Sequence, residues 1–143
     1  MKWVTRERAK VDRIACPWLI KKFVDPEAEF IFVATDKVLE TAKKIDATPF
    51  DVQNVELGHH GAECTFDAIL KKYKITDPAA LEVAKVVRGA DTGAPHLSPL
   101  SPGLGMLAEG YRAISKDDHD NMSKQFYLYD AMYAYFKSQV KEK

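Results

Sequence analysis

The stretch Phe30-Ile31-Phe32-Val33 is four consecutive apolar β-formers with no polar residue among them. A strand with one wet face alternates, so an unbroken run predicts a strand covered on both sides, as in a parallel sheet. Upstream, the segment Ile14 to Val24 places Trp18, Leu19, Ile20 and Phe23 on an apolar face and turns Lys21 and Lys22 outward, which predicts a helix. Pro17 suits its first turn, where a missing N–H costs nothing, and Asp25-Pro26 ends it. Before that helix, Lys2-Trp3-Val4-Thr5 reads as a short strand, joined to it by the polar connector Arg6 to Asp12. On the other side, Asp36 caps a second helix with Val38, Leu39, Ala42 and Ile45 at helical spacing, and Thr48-Pro49-Phe50-Asp51-Val52 reads as a third strand.

This order is β-α-β-α-β. Helical crossovers between strands favour a parallel sheet with right-handed connections, and ligands of such sheets bind outside the carboxyl ends of the strands. Those ends carry Thr5, Thr35 and Asp51. The rest of the chain reads as helical. Phe66, Ile69, Leu70 and Tyr73 form one face. Asp77-Pro78 opens the next helix, with Leu81, Val83, Ala84 and Val87 inward and Gly89 as its C-terminal breaker. Thr92 to Gly103 is rich in Pro, Gly and Ser and is expected to be an ordered loop over the site. Ser101-Pro102 starts a helix to about Ser115. In a last helix from about Asp118 to Val140, the residues Met122, Phe126, Tyr129, Tyr133, Phe136 and Val140 alternate spacings of four and three, as a narrow packing seam does. Such an aromatic seam is expected to be core or a contact between copies, which predicts a homo-oligomer.

The expected fold is therefore α/β: a small parallel sheet of about three strands with helical crossovers, followed by a mostly helical C-terminal half. One domain spans 1–143, with strand–helix repeats over 1–56, a metal-site loop and helices over 57–115, and the long helix over 116–143. The 143 residues suffice for a core without staples. Lys and Arg number 21, as do Asp and Glu, so the net charge is zero. That gives no basic footprint for nucleic acid. Met1 to Arg13 lacks the apolar core of a secretory signal, and no apolar run approaches the roughly 20 residues that span a bilayer. The two cysteines, Cys16 and Cys64, make no disulfide framework, and the expected compartment is the reducing cytoplasm.

The chemistry concentrates in Leu57-Gly58-His59-His60-Gly61-Ala62-Glu63-Cys64-Thr65-Phe66-Asp67. Two glycines bracket the histidines, so the backbone there is expected to turn tightly, and Thr65 is expected to cap a helix beginning at Phe66. Adjacent histidines point in different directions, so one of the pair serves any single site. Imidazole with carboxylates suits zinc, manganese or iron, and a thiolate would favour zinc. Asp91 falls at a helix end, where its charge opposes the dipole and invites a cation, either Arg or a metal. Asp12-Arg13 and Asp51 are expected to form ion pairs around the strand ends. Arg13 and Arg88 are candidates for an oxyanion, whose geometry a guanidinium fork matches, or equally for pairing with Asp51 or Asp91. Cys16 and Cys64 each precede a helix start, where a dipole favours the thiolate, although a free cysteine is also a common small core residue.

Three stretches carry a family likeness: Asp12-Arg13-Ile14-Ala15-Cys16-Pro17-Trp18-Leu19-Ile20, then His59-His60-Gly61 with Cys64-Thr65-Phe66-Asp67, then Arg88-Gly89-Ala90-Asp91-Thr92. In this order and spacing the chain resembles the C-terminal domain family of the chromate-resistance protein ChrB, over roughly residues 3 to 115. The resemblance implies a part in the bacterial response to chromate stress, as a regulator or a chromate-handling protein. The N-terminal regulatory region of the full-length pattern, with which a transcriptional role would go, is not among the matching stretches. The likeness also favours Asp91 as a ligand.

The metal ligands expected from all this are a histidine of the His59–His60 pair, Asp67 and Asp91. Arg13 and Arg88 are the oxyanion candidates, and Cys64, then Cys16, the reactive thiols. Two functions stay open: a metal- or oxyanion-binding sensor module, with a metal ion and chromate as ligands, and a metal- or thiol-dependent enzyme such as a chromate reductase. The usual Gly-rich nucleotide loops are missing from the sequence, which favours binding over a nicotinamide- or flavin-driven reduction. Neither membrane nor, by itself, nucleic acid is an expected partner. Because counterion release supplies most non-specific affinity for DNA, titration of random duplex at physiological salt is expected to give no micromolar binding. Such binding would reveal a local basic face.

Overall fold

In a computed structural model, residues 1–92, 94 and 97–141 are described. The loop expected over Thr92 to Gly103 lies partly outside them. Strands β1 (Lys2–Arg6), β2 (Glu29–Val33) and β3 (Thr48–Pro49) form a parallel sheet in the order β2-β1-β3. Helices α1 (Asp12–Phe23) and α2 (Val38–Ile45) connect them, and α3 (Thr65–Lys72), α4 (Pro78–Asp91), α5 (Ser101–Ile114) and α6 (Asp118–Lys141) follow. The expected α/β architecture with a helical C-terminal half is the one observed.

The doubly covered strand is β1, not β2. The register sets Trp3 beside Phe30 and Val4 beside Ile31. Because strand side chains alternate, Trp3, Phe30 and Phe50 share one face with α1 and α3, while Val4 and Ile31 share the other with Val38 and Ala42 of α2. Trp3, Val4 and Thr5 are fully buried, whereas β2 has one buried residue, Phe30, and that one not completely. The unbroken apolar run of β2 is that of an edge strand whose Ile31 and Val33 are partly covered by the α2 side and whose Phe32 meets His119 edge-on.

Several local expectations shift. Helix α1 begins at Asp12, so Pro17 lies inside it, one turn beyond the expected position, and removes a backbone donor there. A short 3-10 turn over Thr35–Lys37 precedes α2, and Asp36 makes no side-chain cap. Gly89 does not end α4. It lies within the helix because a side chain there would collide with Ser101, whose hydroxyl donates to the Val86 carbonyl at 2.9 Å and fixes α5 against α4. Asp77 caps α4 through the Ala80 amide, as its position before Pro78 suggests. Leu81 and Leu39, both expected inward, are exposed.

The seam of α6 is filled within the chain. Tyr129 lies tilted against Trp18, Tyr133 meets Trp18 and Phe23 edge-on, and Trp18 Nε1 donates to Asp130 at 2.9 Å. At its start, the Asp118 carboxylate accepts the amides of Arg8 and Ala9, and Asn121 donates to the Ala9 carbonyl. Helix α6 thus clamps the connector that leads into Asp12. Among the described residues no helix is long and apolar enough to cross a membrane.

Tyr129 is fully buried and its hydroxyl has no partner among the described residues. Tyr129→Phe is therefore expected to leave stability unchanged or raise it, because an unanswered buried hydroxyl is lost. Tyr129→Ala, which opens a cavity against Trp18, is expected to cost about 3–5 kcal/mol. Urea denaturation of the three proteins measures the difference.

Candidate functional site

The site lies at the carboxyl edge of the sheet, where residues from four parts of the chain converge. Asp12 is the first residue of α1, Asp51 follows β3, His59 is in the long loop before α3, and Asp91 ends α4. Two glycines shape the histidine loop. Gly58 passes within 3.1 Å of the Val52 carbonyl at the position where a Cβ would be, and Gly61 has φ +63°. Between His60 and Glu63 the backbone bonds are reciprocal, which makes the expected tight turn. Asp51 also has a positive φ, 51°, a conformation that Asp tolerates better than most residues. Its amide donates to the Leu57 carbonyl and closes the loop.

His59 Nε2 stands 2.8 Å from Asp91 Oδ2, 3.4 Å from Asp51 Oδ1 and 3.5 Å from Asp12 Oδ2. One imidazole thus answers three carboxylates. Hydrogen bonds to Asp12 and Asp51, with the charge of Asp91, hold the imidazole protonated and raise its pKa to about 10. Asp12 is fully buried, and burial, with the Asp91 and Asp51 charges added, pushes its carboxyl up to about 7 against the bond to His59. Burial also pushes Asp51 upward, but His59, Thr65, Arg6 and Arg13 outweigh it and hold the carboxyl below its usual range. Asp91 is raised, chiefly by burial and the Asp51 charge. The charge that the helix dipole disfavours at the end of α4 has a cationic partner after all, and it is His59.

Single ligand atoms of Asp12, His59 and Asp91 lie within 4.8 Å of one another, a spacing that a metal ion could bridge. Of the residues expected to meet there, His59 and Asp91 are present. His60 turns away, its Nε2 2.8 Å from the Glu56 carbonyl. Asp67 is occupied elsewhere: it accepts the Cys64 amide and thiol and pairs with Arg88 at 3.2 Å. This is a capping box in which Cys64, not Thr65, is the N-cap. A carboxylate three residues after an N-cap is the spacing that marks it in the sequence. Asp12 was expected as an ion-pair partner, not as a ligand; its place at the first turn of a helix following a strand end was the available clue.

Thr65 has another task. Its amide donates to Asp12 Oδ2 and its hydroxyl to Asp51 Oδ1, both at 2.8 Å. Arg13 pairs with Asp51 at 3.3 Å and donates to the carbonyls of Arg6 and Glu7. Both oxyanion candidates therefore have carboxylate partners, Arg13 with Asp51 and Arg88 with Asp67. The two thiols are buried beside carboxylates. Cys16 lies in the second turn of α1, 3.7 Å from Asp12 Oδ1, and Cys64 lies 3.3 Å from Asp67 Oδ2. Burial and the Asp12 charge push both thiols up, so the expected acidification by helix dipoles is not what these surroundings produce.

A cleft of about 1060 Å³ opens beside the site; Arg6, Asp51 and His59 line it, as do Thr35 and Asp36 from the loop after β2. Thr65→Val removes one buried hydroxyl from Asp51 and keeps the shape and the amide. It is expected to cost about 1.5–3 kcal/mol, the range for a hydrogen bond to a charged group, and Thr65→Ser should recover most of it in thermal unfolding.

The model of the family described as ChrB, C-terminal domain, matches residues 3–136, so the match runs through most of α6 as well. The chain is similar to Protein ChrB of Cupriavidus metallidurans strain CH34, with 28% identity over 139 residues, which are 95% of this chain and 41% of that protein. It thus spans about two fifths of the length of that curated relative. No solved structure matches. The chain belongs to the ChrB C-terminal domain family.

Proposed function

We propose that this domain binds one divalent metal ion through Asp12, His59 and Asp91 and acts in the cytoplasm as a metal-dependent binding or sensor module of a chromate-resistance protein. The observation that carries this reading is the convergence of one imidazole nitrogen and two carboxylate oxygens within 4.8 Å, from a helix start, a loop and a helix end. Buried carboxylates are unfavourable without a counter-charge; Asp12 and the partly buried Asp91 depend on one imidazolium, which Asp51 shares although it also has Arg6 and Arg13. An ion that displaces the His59 proton would answer the same charge with greater valence. One nitrogen and two hard oxygens suit manganese, iron or zinc, and a ligand set without sulfur weakens the case for a thiolate zinc site. The chromate association rests on family membership.

An enzyme remains the second reading, and one observation favours it. Three protein ligands would leave coordination positions open, and one of the three, His59, lines the adjoining cleft. Thiol-driven reduction gains less support, because both sulfurs are buried and their pKa values raised.

Calorimetric titration of chelator-treated protein with Mn2+ or Zn2+ is expected to give one ion per chain. His59→Ala and Asp91→Asn should each weaken it by about 100-fold or more, somewhat beyond the loss typical of changing an outer-shell partner. His60→Ala and Asp67→Asn should change it little. Absence of binding, or equal loss in all four variants, would overturn the proposed ligand set.

A further inference from the structure

The cleft is far larger than a metal ion needs. Sites of roughly 300–1,000 Å³ accommodate drug-sized molecules, so at about 1060 Å³ a tetrahedral oxyanion alone would leave most of it empty. Its location follows from the strand order. The chain leaves β1 for β2 on one side and returns to β3 on the other, so the loops after β1 and β3 diverge and open a crevice at the carboxyl edge.

Building on the metal reading above, we propose that this cleft binds a sugar phosphate, with its phosphoryl group at Arg6 and the ion, and its hydroxyls at Thr35 and Asp36. The part lined by Arg6 and His59 selects an anion. With a divalent ion bound beside His59, the ion and Arg6 bring positive charge to the part of the cleft that His59 and Asp51 line, while Asp36 supplies a carboxylate elsewhere in the lining. Arg6 is already oriented. Its Nε donates to the Asp51 carbonyl at 2.8 Å and one Nη to the Asp51 carboxylate at 3.2 Å, which leaves the other Nη, without a partner among the described residues, for the cleft. A guanidinium fixed in this way is suited to phosphoryl oxygens. The connector Glu7 to Val11 has no glycine, so a backbone cradle of the usual kind is not available and the charge must come from side chains and the ion.

The part lined by Thr35 and Asp36 selects a hydroxylated body. Thr35 and Asp36 lie one residue beyond β2 and are exposed. An acidic residue just beyond the second strand of such a unit is placed to accept the hydroxyls of a ribose-like ring. Leu39, which amphipathic spacing would turn inward, is instead 48% exposed, and with Val52 and Val55 it gives the cleft an apolar surface for a ring to lie on.

The test uses the whole chain saturated with Mn2+ and titrates inorganic phosphate, ribose and ribose 5-phosphate by calorimetry. Ribose 5-phosphate is expected to bind at least about tenfold more tightly than phosphate, the effect of about one hydrogen bond to a charged group. Asp36→Ala should abolish that advantage and leave both phosphate and Mn2+ affinity unchanged. Ribose 5-phosphate no tighter than phosphate, an Asp36→Ala protein with the advantage intact, or ribose binding as well as its phosphate would each overturn the proposal while Mn2+ binding still stands. Failure of Mn2+ itself to bind would remove both readings together.

Discussion

A carboxylate taken out of water must be answered, and Asp51 is answered from four directions. Arg6, Arg13, the Thr65 hydroxyl and His59 all reach its two oxygens. These partners come from the end of β1, the start of α1, the start of α3 and the histidine loop, so one buried charge ties the sheet edge to the helical half. The Coulomb attraction alone does not repay desolvation of such a group. It is the combination of ion pairs with directed hydrogen bonds that makes the burial tolerable. The left-handed backbone of Asp51 is a further cost accepted at this point, as is common where a residue is held for function and not for packing. Asp12 is in a harder position, since it lies deeper and shares its cation with two other acids.

The sequence carried most of the architecture because the relevant signals are local. Strand–helix alternation, the Asp77-Pro78 helix start and the paired glycines around the histidines each follow from a few adjacent residues, and all have their counterparts in the fold. What misled was everything decided by distant neighbours. An apolar run cannot say whether its strand is central or at an edge, and Trp3-Val4-Thr5 became the covered strand because β2 and β3 both pair with it. Gly89 resembled a helix terminator, but it is small because Ser101 packs onto it. The aromatic seam of α6 was legible as a seam, though not as one filled by α1.

For the site, composition pointed to the loop where the acidic and histidine side chains converge and to two of the three residues whose ligand atoms meet there. His59 and Asp91 converge, whereas Asp67, the nearest carboxylate in sequence, is committed to capping its own helix and to Arg88. Proximity along the chain favoured Asp67 and the fold favoured Asp12, 47 positions from His59 by their numbers. Local hydrogen bonding competes for short acidic side chains near helix starts, and in this loop it won.

The clamp that Asp118 and Asn121 place on the connector before Asp12 links residues more than a hundred positions apart. Contacts of such separation are slow to form, because loop-closure entropy must be overcome before they are rewarded. During synthesis the strands and the histidine loop emerge long before α6 does. The connector before Asp12 then lacks its clamp and Trp18 lacks its cover, although Thr65 and Asp91 can already reach Asp12. The clamp on the site's connector is thus a late product of folding, and its closure reports that nearly the whole domain has been made.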